Sequence, residues 1–142
     1  MHDKDLLGLL TVTQLLDPDT VTTDTASGYV DMLGFNSCMF VVSVGASGDT
    51  LSSSVKIELE VQEGDATNSF AAAPDTAVRT AITGTATGTF ALIDAATEDD
   101  TVYTCQYVGN KRYAKVNINV TGTHTSGTPI SVLAVQGGDQ IL

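Results

Sequence analysis

The chain has no tryptophan, three prolines, two cysteines, two histidines and only six lysine or arginine residues among its 142, and each shortage closes off a class of function. Six basic against 17 acidic side chains leave a net charge of −11 and a pI near 4.1. Nucleic-acid binders hold the phosphate backbone with clustered Lys and Arg that displace counterions, so no nucleic-acid partner is expected. The histidines, His2 and His124, have no Ser, Cys or metal-ligand pattern beside them, which leaves nucleophilic and metal-assisted catalysis without their usual groups. No P-loop, dinucleotide fingerprint, GxSxG or HExxH is present, so neither an enzyme nor a cofactor is expected. His124 stands in a Thr/Gly-rich stretch and reads as a solvated loop side chain. The acidic groups Asp17-Pro18-Asp19 and Glu98-Asp99-Asp100 lack the EF-hand spacing and read as solvated turns. Cys38 and Cys105 form no CxxC pair and read as buried free thiols. No apolar run approaches the roughly 20 residues that span a bilayer, and the acidic start Met1-His2-Asp3-Lys4-Asp5 is unlike a secretory leader. A soluble protein made in the cytoplasm, with no membrane partner, is therefore expected. Charged residues make up 16% of the chain and mean hydropathy is +0.14. Soluble domains average about 25% charged, so the deficit points to surface covered by something other than water.

What the sequence does contain is alternation. A chain of this length makes one domain and can bury roughly 68–70% of its unfolded surface. In residues 55–62, Val55, Ile57, Leu59 and Val61 alternate with polar residues, and Ala114, Val116, Ile118 and Val120 do the same. Period two is the mark of a strand with one face on a core. The predicted core is Val55, Ile57, Leu59, Val61, Val116, Ile118 and Val120. Residues 101–108 are rich in β-branched and aromatic side chains and are expected to pair with 114–121 as a hairpin, with Gly109-Asn110-Lys111-Arg112 at its tip. Residues 37–44 are apolar on both parities, as in a central strand covered on both sides or one whose outer face meets another subunit. Further strands are expected over 28–33, 77–83, 87–93 and 130–136. With 21 threonines and almost no helical stripe, the pattern gives an all-β domain, a β-sandwich or jelly-roll-like barrel. Residues 1–20 are assigned to an N-terminal arm and 21–142 to the domain. Within the arm Leu6, Leu9, Leu10 and Leu16 suit a helix face and Thr11, Val12 and Thr13 suit a strand, so both conformations stay open.

Half of the six basic residues, Lys111, Arg112 and Lys115, fall within five positions, beside Tyr107 and Tyr113. They form either a hairpin tip whose charges confer solubility or a docking patch, since Arg grips carboxylates bidentately and Tyr and Arg are enriched at interface hot spots. On a strand Tyr113 and Lys115 share the outward face. The candidate partner-binding residues are Lys111, Arg112, Tyr113 and Lys115, with Arg112 expected to meet an acidic group of another subunit. Met39 and Val41 on the two-sided strand, and Leu6, Leu9 and Leu10 in the arm, are candidates for self-association.

The segments Tyr107-Val108-Gly109-Asn110-Lys111-Arg112-Tyr113-Ala114-Lys115-Val116, Val30-Asp31-Met32-Leu33-Gly34-Phe35-Asn36-Ser37 and Val44-Gly45-Ala46-Ser47-Gly48-Asp49-Thr50-Leu51 resemble small structural proteins of tailed bacteriophages and prophages. Thr121-Gly122-Thr123 and Gly127-Thr128-Pro129-Ile130 extend the likeness over about residues 28–135. The resemblance implies a virion protein, foremost a head decoration (cement) protein that binds the major capsid protein from outside, stabilises the head and often forms homotrimers. Its place would be the capsid exterior, after synthesis in the bacterial cytoplasm. Two other readings stand beside it: another virion part (head completion, tail tube or tail tip), and a carbohydrate-binding or adhesin-like sandwich, which the lack of Trp and an aromatic content of 6% weaken.

Overall fold

The alternating segment at the centre of the sequence becomes the backbone of one of two packed antiparallel sheets. The computed structural model describes residues 5–138. A four-residue helix, α1 (Leu6–Leu9), leads directly into β1 (Leu10–Val21), followed by β2 (Thr25–Asp31), β3 (Ser37–Val44), β4 (Lys56–Ala66) and β5 (Ser69–Ala72). After a 3-10 turn at Asp75–Ala77 come β6 (Val78–Arg79), β7 (Thr89–Ile93), β8 (Thr101–Tyr107), β9 (Tyr113–Thr121) and β10 (Thr128–Gly137). The first sheet has the order β1-β10-β3-β8-β6, and the second runs β2-β9-β4-β5 with β7 on the same edge of β4 as β5. The protein is thus a single-domain β-sandwich, as the alternation predicted.

The inward residues of each strand build the core. Phe40, Val42, Val132 and Ala134 from the first sheet meet Ile57, Leu59, Val61, Val116 and Ile118 from the second, all 0% exposed. Each large aliphatic or aromatic side chain so buried contributes about 1.5–3 kcal/mol of transfer free energy. Of the predicted core, Val120 is half-buried against it and Val55 lies outside β4, half-buried in the turn that Ser52 and Val55 close. Cys38 and Cys105 are buried free thiols on neighbouring strands, and loss of water pushes the Cys38 thiol up to about 12 and raises that of Cys105 further.

The expected hairpin between 101–108 and 114–121 does not form. β8 lies between β3 and β6 in the first sheet, and β9 lies between β2 and β4 in the second. Strands adjacent in sequence usually pair, but here each is the inner strand of its own sheet. Residues 108–112 therefore form an arch that carries the chain from one sheet to the other. Tyr107, 2% exposed, holds it: its hydroxyl donates to Glu63 Oε1 of β4 (2.7 Å) and accepts from the Lys111 N–H (3.1 Å).

The arm boundary at residue 20 also needs correction. Residues 10–21 are the edge strand of the first sheet, paired with β10 from Leu10 opposite Gly137 to Val21 opposite Thr128 across register shifts between Gln14 and Leu16 and between Leu16 and Asp19. Both conformations left open for the arm occur in succession, helix over Leu6–Leu9 and strand from Leu10, because main-chain pairing with β10 fixes the second half. Residues 1–4, with His2, lie outside the described residues. The strand expected over 77–83 shrinks to Val78–Arg79, since Thr80 takes a left-handed φ of 72° that breaks the extended run. The strand expected over 28–33 is shifted to Thr25–Asp31, and the chain turns at Gly34, whose φ of 89° suits glycine.

Candidate functional site: two surfaces on opposite faces

On the outer face of the second sheet, cross-strand pairing brings Tyr29 opposite Lys115 and Asp31 opposite Tyr113. Phe70 joins them from β5. That strand can approach because residue 64 is glycine, where a Cβ would stand 2.0 Å from the Ser69 carbonyl oxygen. The Tyr29 ring lies 5.4 Å from Tyr113 edge-on and 6.0 Å from Phe70, and Lys115 Nζ sits 4.3 Å over the Phe70 ring. Arg112 lies 5.1 Å over the Tyr113 ring. Cation–π contacts of this kind suit Arg and Lys beside aromatic faces.

Arg112 is not free for another subunit. Its Nε and a terminal nitrogen fork onto the two Asp31 oxygens at 3.0 and 2.9 Å, and Lys111 Nζ meets Asp65 at 2.8 Å. The expected acidic partner of Arg112 is thus within the chain, since β2 runs beside β9 and presents Asp31 where the arch ends. The fork holds the Asp31 carboxyl below its ordinary range and raises the Arg112 guanidinium, while Asp65 raises Lys111. Both pairs are solvent-exposed, where ion pairs orient side chains more than they stabilise the fold. Lys115, by contrast, has an aromatic partner and no carboxylate within ion-pair distance among the described residues. Beside the arch an open cleft of about 560 Å³ is walled by Met32, Leu33, Phe35 and Val108 with Lys111 and Arg112 at its rim.

The first sheet presents a different surface. Its strands β3, β8 and β10 contain no Asp, Glu, Lys or Arg, in a chain of net charge −11. Their outward residues include the apolar Met39, Val41, Val102, Leu133 and Val135 among Ser43, Thr104, Gln106 and Ser131, with Val12 of β1 completing the row Val12, Val135, Met39. Leu6 and Leu9 are in α1, which buries no residue, and Leu10 begins β1. The predicted site residues therefore divide into two groups on opposite faces: Lys111, Arg112, Tyr113 and Lys115 on one, Met39 and Val41 on the other with the leucines at its end. Sequence reasoning missed Tyr29, Phe70, Asp31 and Asp65, which reach the patch only through strand pairing and an ion pair across 46 residues or more.

Two solvated readings are overturned. The His124 side chain is 0% exposed, its Nε2 lies 3.1 Å from the Thr121 carbonyl and its Nδ1 3.6 Å from Asp49 Oδ2. Asp49 in turn accepts from the amides of Thr125, Ser126 and Gly127, so the loop folds over the ring. Of the Glu98-Asp99-Asp100 group, Glu98 and Asp99 cap the Asp94 and Ser47 amides (2.8 Å each) and Glu98 accepts from the Tyr103 hydroxyl through its carbonyl. Asp17 and Asp19 stay exposed, but on strand β1 rather than in a turn. Among the described residues no group of three His, Cys, Asp or Glu side chains is placed to hold a metal ion. Neither a protein-family model nor a curated protein matches this chain.

Proposed function

We propose that this chain is a virion structural protein that decorates the outside of a tailed-phage capsid, binding the major capsid protein and neighbouring copies of itself. The observation that carries the reading is the pair of chemically distinct surfaces on opposite faces of one small sandwich, one without charge and one with aromatic rings and basic side chains. A protein that clamps a lattice must touch a neighbour and the shell at once, so one surface does not suffice. Interface cores are poor in charge, which matches the first face, and enriched in aromatic residues, which matches the Tyr29, Phe70 and Tyr113 cluster of the second. The acidic remainder of the surface keeps an abundant protein dispersed in solution.

The carbohydrate-binding reading draws on the Tyr29, Phe70 and Tyr113 cluster, but Lys115 already covers one face of Phe70 and Tyr29 meets Tyr113 edge-on. Little flat ring remains for a sugar to stack on. The decoration reading is tested by adding the purified chain to heads assembled from the major capsid protein of the same phage and imaging the pelleted particles. Density at many symmetry-related positions outside the shell is the expected result. A single ring at one vertex would move the protein to head completion or the tail, and absence from the pellet would refute capsid binding.

A further inference from the structure

We propose that the peptide bond between Arg79 and Thr80 is a processing site, cut in the folded protein by an endopeptidase that recognises arginine, and that the two resulting chains remain one sandwich. Water adds across the amide and leaves a carboxylate on Arg79 and an ammonium group on Thr80, so the step needs no other reactant.

The bond is presented as such an enzyme requires. Val78 is buried and Arg79, its neighbour on β6, is exposed, so the alternation of the strand aims the guanidinium at solvent. No carboxylate lies within ion-pair distance of it among the described residues. β6 ends the first sheet and pairs with β8 alone, which leaves its other edge open to the extended pairing by which a bound peptide is gripped. Thr80 follows, exposed, with a φ of 72° that a β-branched residue adopts only under strain. Hydrolysis releases that strain, because the carbonyl that defines this φ departs. Beyond Thr80 the chain joins no strand until Thr89, and open space surrounds Gly84, so the segment after the cut can move without undoing a ladder.

The sequence has one other arginine, and its setting is the opposite. Arg112 is forked onto Asp31, its carbonyl accepts from the Met32 N–H at 2.7 Å, and Tyr113 after it opens a strand paired on both edges, with β2 and with β4.

Topology keeps the cut molecule whole. The first sheet, β1-β10-β3-β8-β6, alternates throughout between strands that precede the cut and strands that follow it. In the second sheet β9 lies between β2 and β4, and β7 pairs with β4. Every strand pairing among the described residues except that of β4 with β5 therefore joins one piece to the other. The pieces can part only by unfolding. This inference does not depend on capsid binding, because it is read on the free protein.

The test is digestion of the native full chain with an arginine-specific endopeptidase, followed by mass spectrometry and by gel filtration with and without urea. Cleavage after Arg79 is expected first, about tenfold or more faster than after Arg112, which must await local opening. The cut protein is expected to elute as one species of the intact size and to separate into 1–79 and 80–142 only in urea. Arg79→Gln is expected to keep the wild-type thermal midpoint and to survive the same digestion. A first cut after Arg112, a native chain that resists while the urea-unfolded chain is cut at both arginines, or pieces that elute separately without urea would each overturn the proposal.

Discussion

Tyr107→Phe removes one oxygen from a residue that ties the two sheets together at the arch, and its consequence can be worked out in advance. The hydroxyl donates to Glu63 Oε1 at 2.7 Å and accepts from the Lys111 N–H at 3.1 Å. Burial, reinforced by the Glu63 carboxylate, raises the phenol, so it remains a donor throughout the neutral range. A hydrogen bond to a charged group contributes about 1.5–3 kcal/mol. Glu63 is half-buried, so water replaces part of what is lost and the lower end, about 1.5 kcal/mol, applies. For a chain of this size that lowers Tm by roughly 5 °C. Urea denaturation should show the loss at an unchanged m-value, and amide exchange should quicken at Lys111 by more than the uniform loss that lower global stability gives the β3 and β10 amides. A double-mutant cycle with Glu63→Gln should give a coupling of about 0.5 kcal/mol or more. An unchanged midpoint, or zero coupling, would refute the assignment of this hydroxyl as the tie.

Leu59→Ala, in a β4 paired on both edges and unable to collapse, should cost about 3–5 kcal/mol by urea denaturation, whereas Val55→Ala at the half-buried turn should cost under about 1 kcal/mol. The Asp31 carboxyl is held low by Arg112, so its contribution is present above the ordinary aspartate value of 3.8 and is lost as pH falls through the lowered value. Stability of wild type should therefore drop more steeply with acid than that of Arg112→Gln, and equal slopes would show that the fork does not form in solution. With the Cys38 thiol at about 12 and Cys105 higher, neither should react with a thiol reagent in the native protein at neutral pH, and both should react in denaturant.

Two kinds of strand were legible in the sequence: the apolar, β-branched run of β3 (Ser37–Val44), and those whose two faces differ. In β4 and β9, Ile57, Leu59, Val61, Val116 and Ile118 face a core and their neighbours face water, so burial itself writes the alternation. The pairing of those strands was not legible, because β8 and β9 have good local reasons to form a hairpin and are parted only by the competition of β3 and β4 for their edges. β5 went unseen for a related reason: Ser69–Ala72 carries little pattern, and its place depends on the missing side chain at Gly64. At the patch the cations were visible as a cluster but their carboxylates were not, since Asp31 and Asp65 lie far away along the chain. His124 was misread because its cover, the Asp49 carboxylate clasping three amides, comes from another loop.

The pairing of β1 with β10 carries a consequence for how the molecule forms and how it can be rewired. β10 supplies the ladder for both β1 and β3, so the first sheet cannot close until the segment nearest its C-terminal end has arrived. Contacts between such distant segments are costly in loop-closure entropy, and folding on the millisecond-to-second scale is the expectation for this topology. Until then the charge-free strand β3 has β8 alone beside it, and the acidic loops around the pair keep the unfinished sheet from meeting its own kind. Because Leu10 and Gly137 end side by side, a short peptide could join them, and new ends could be opened in an exposed turn such as 83–84. Circular permutation would then leave every strand contact in place while changing the order in which the ladder is filled.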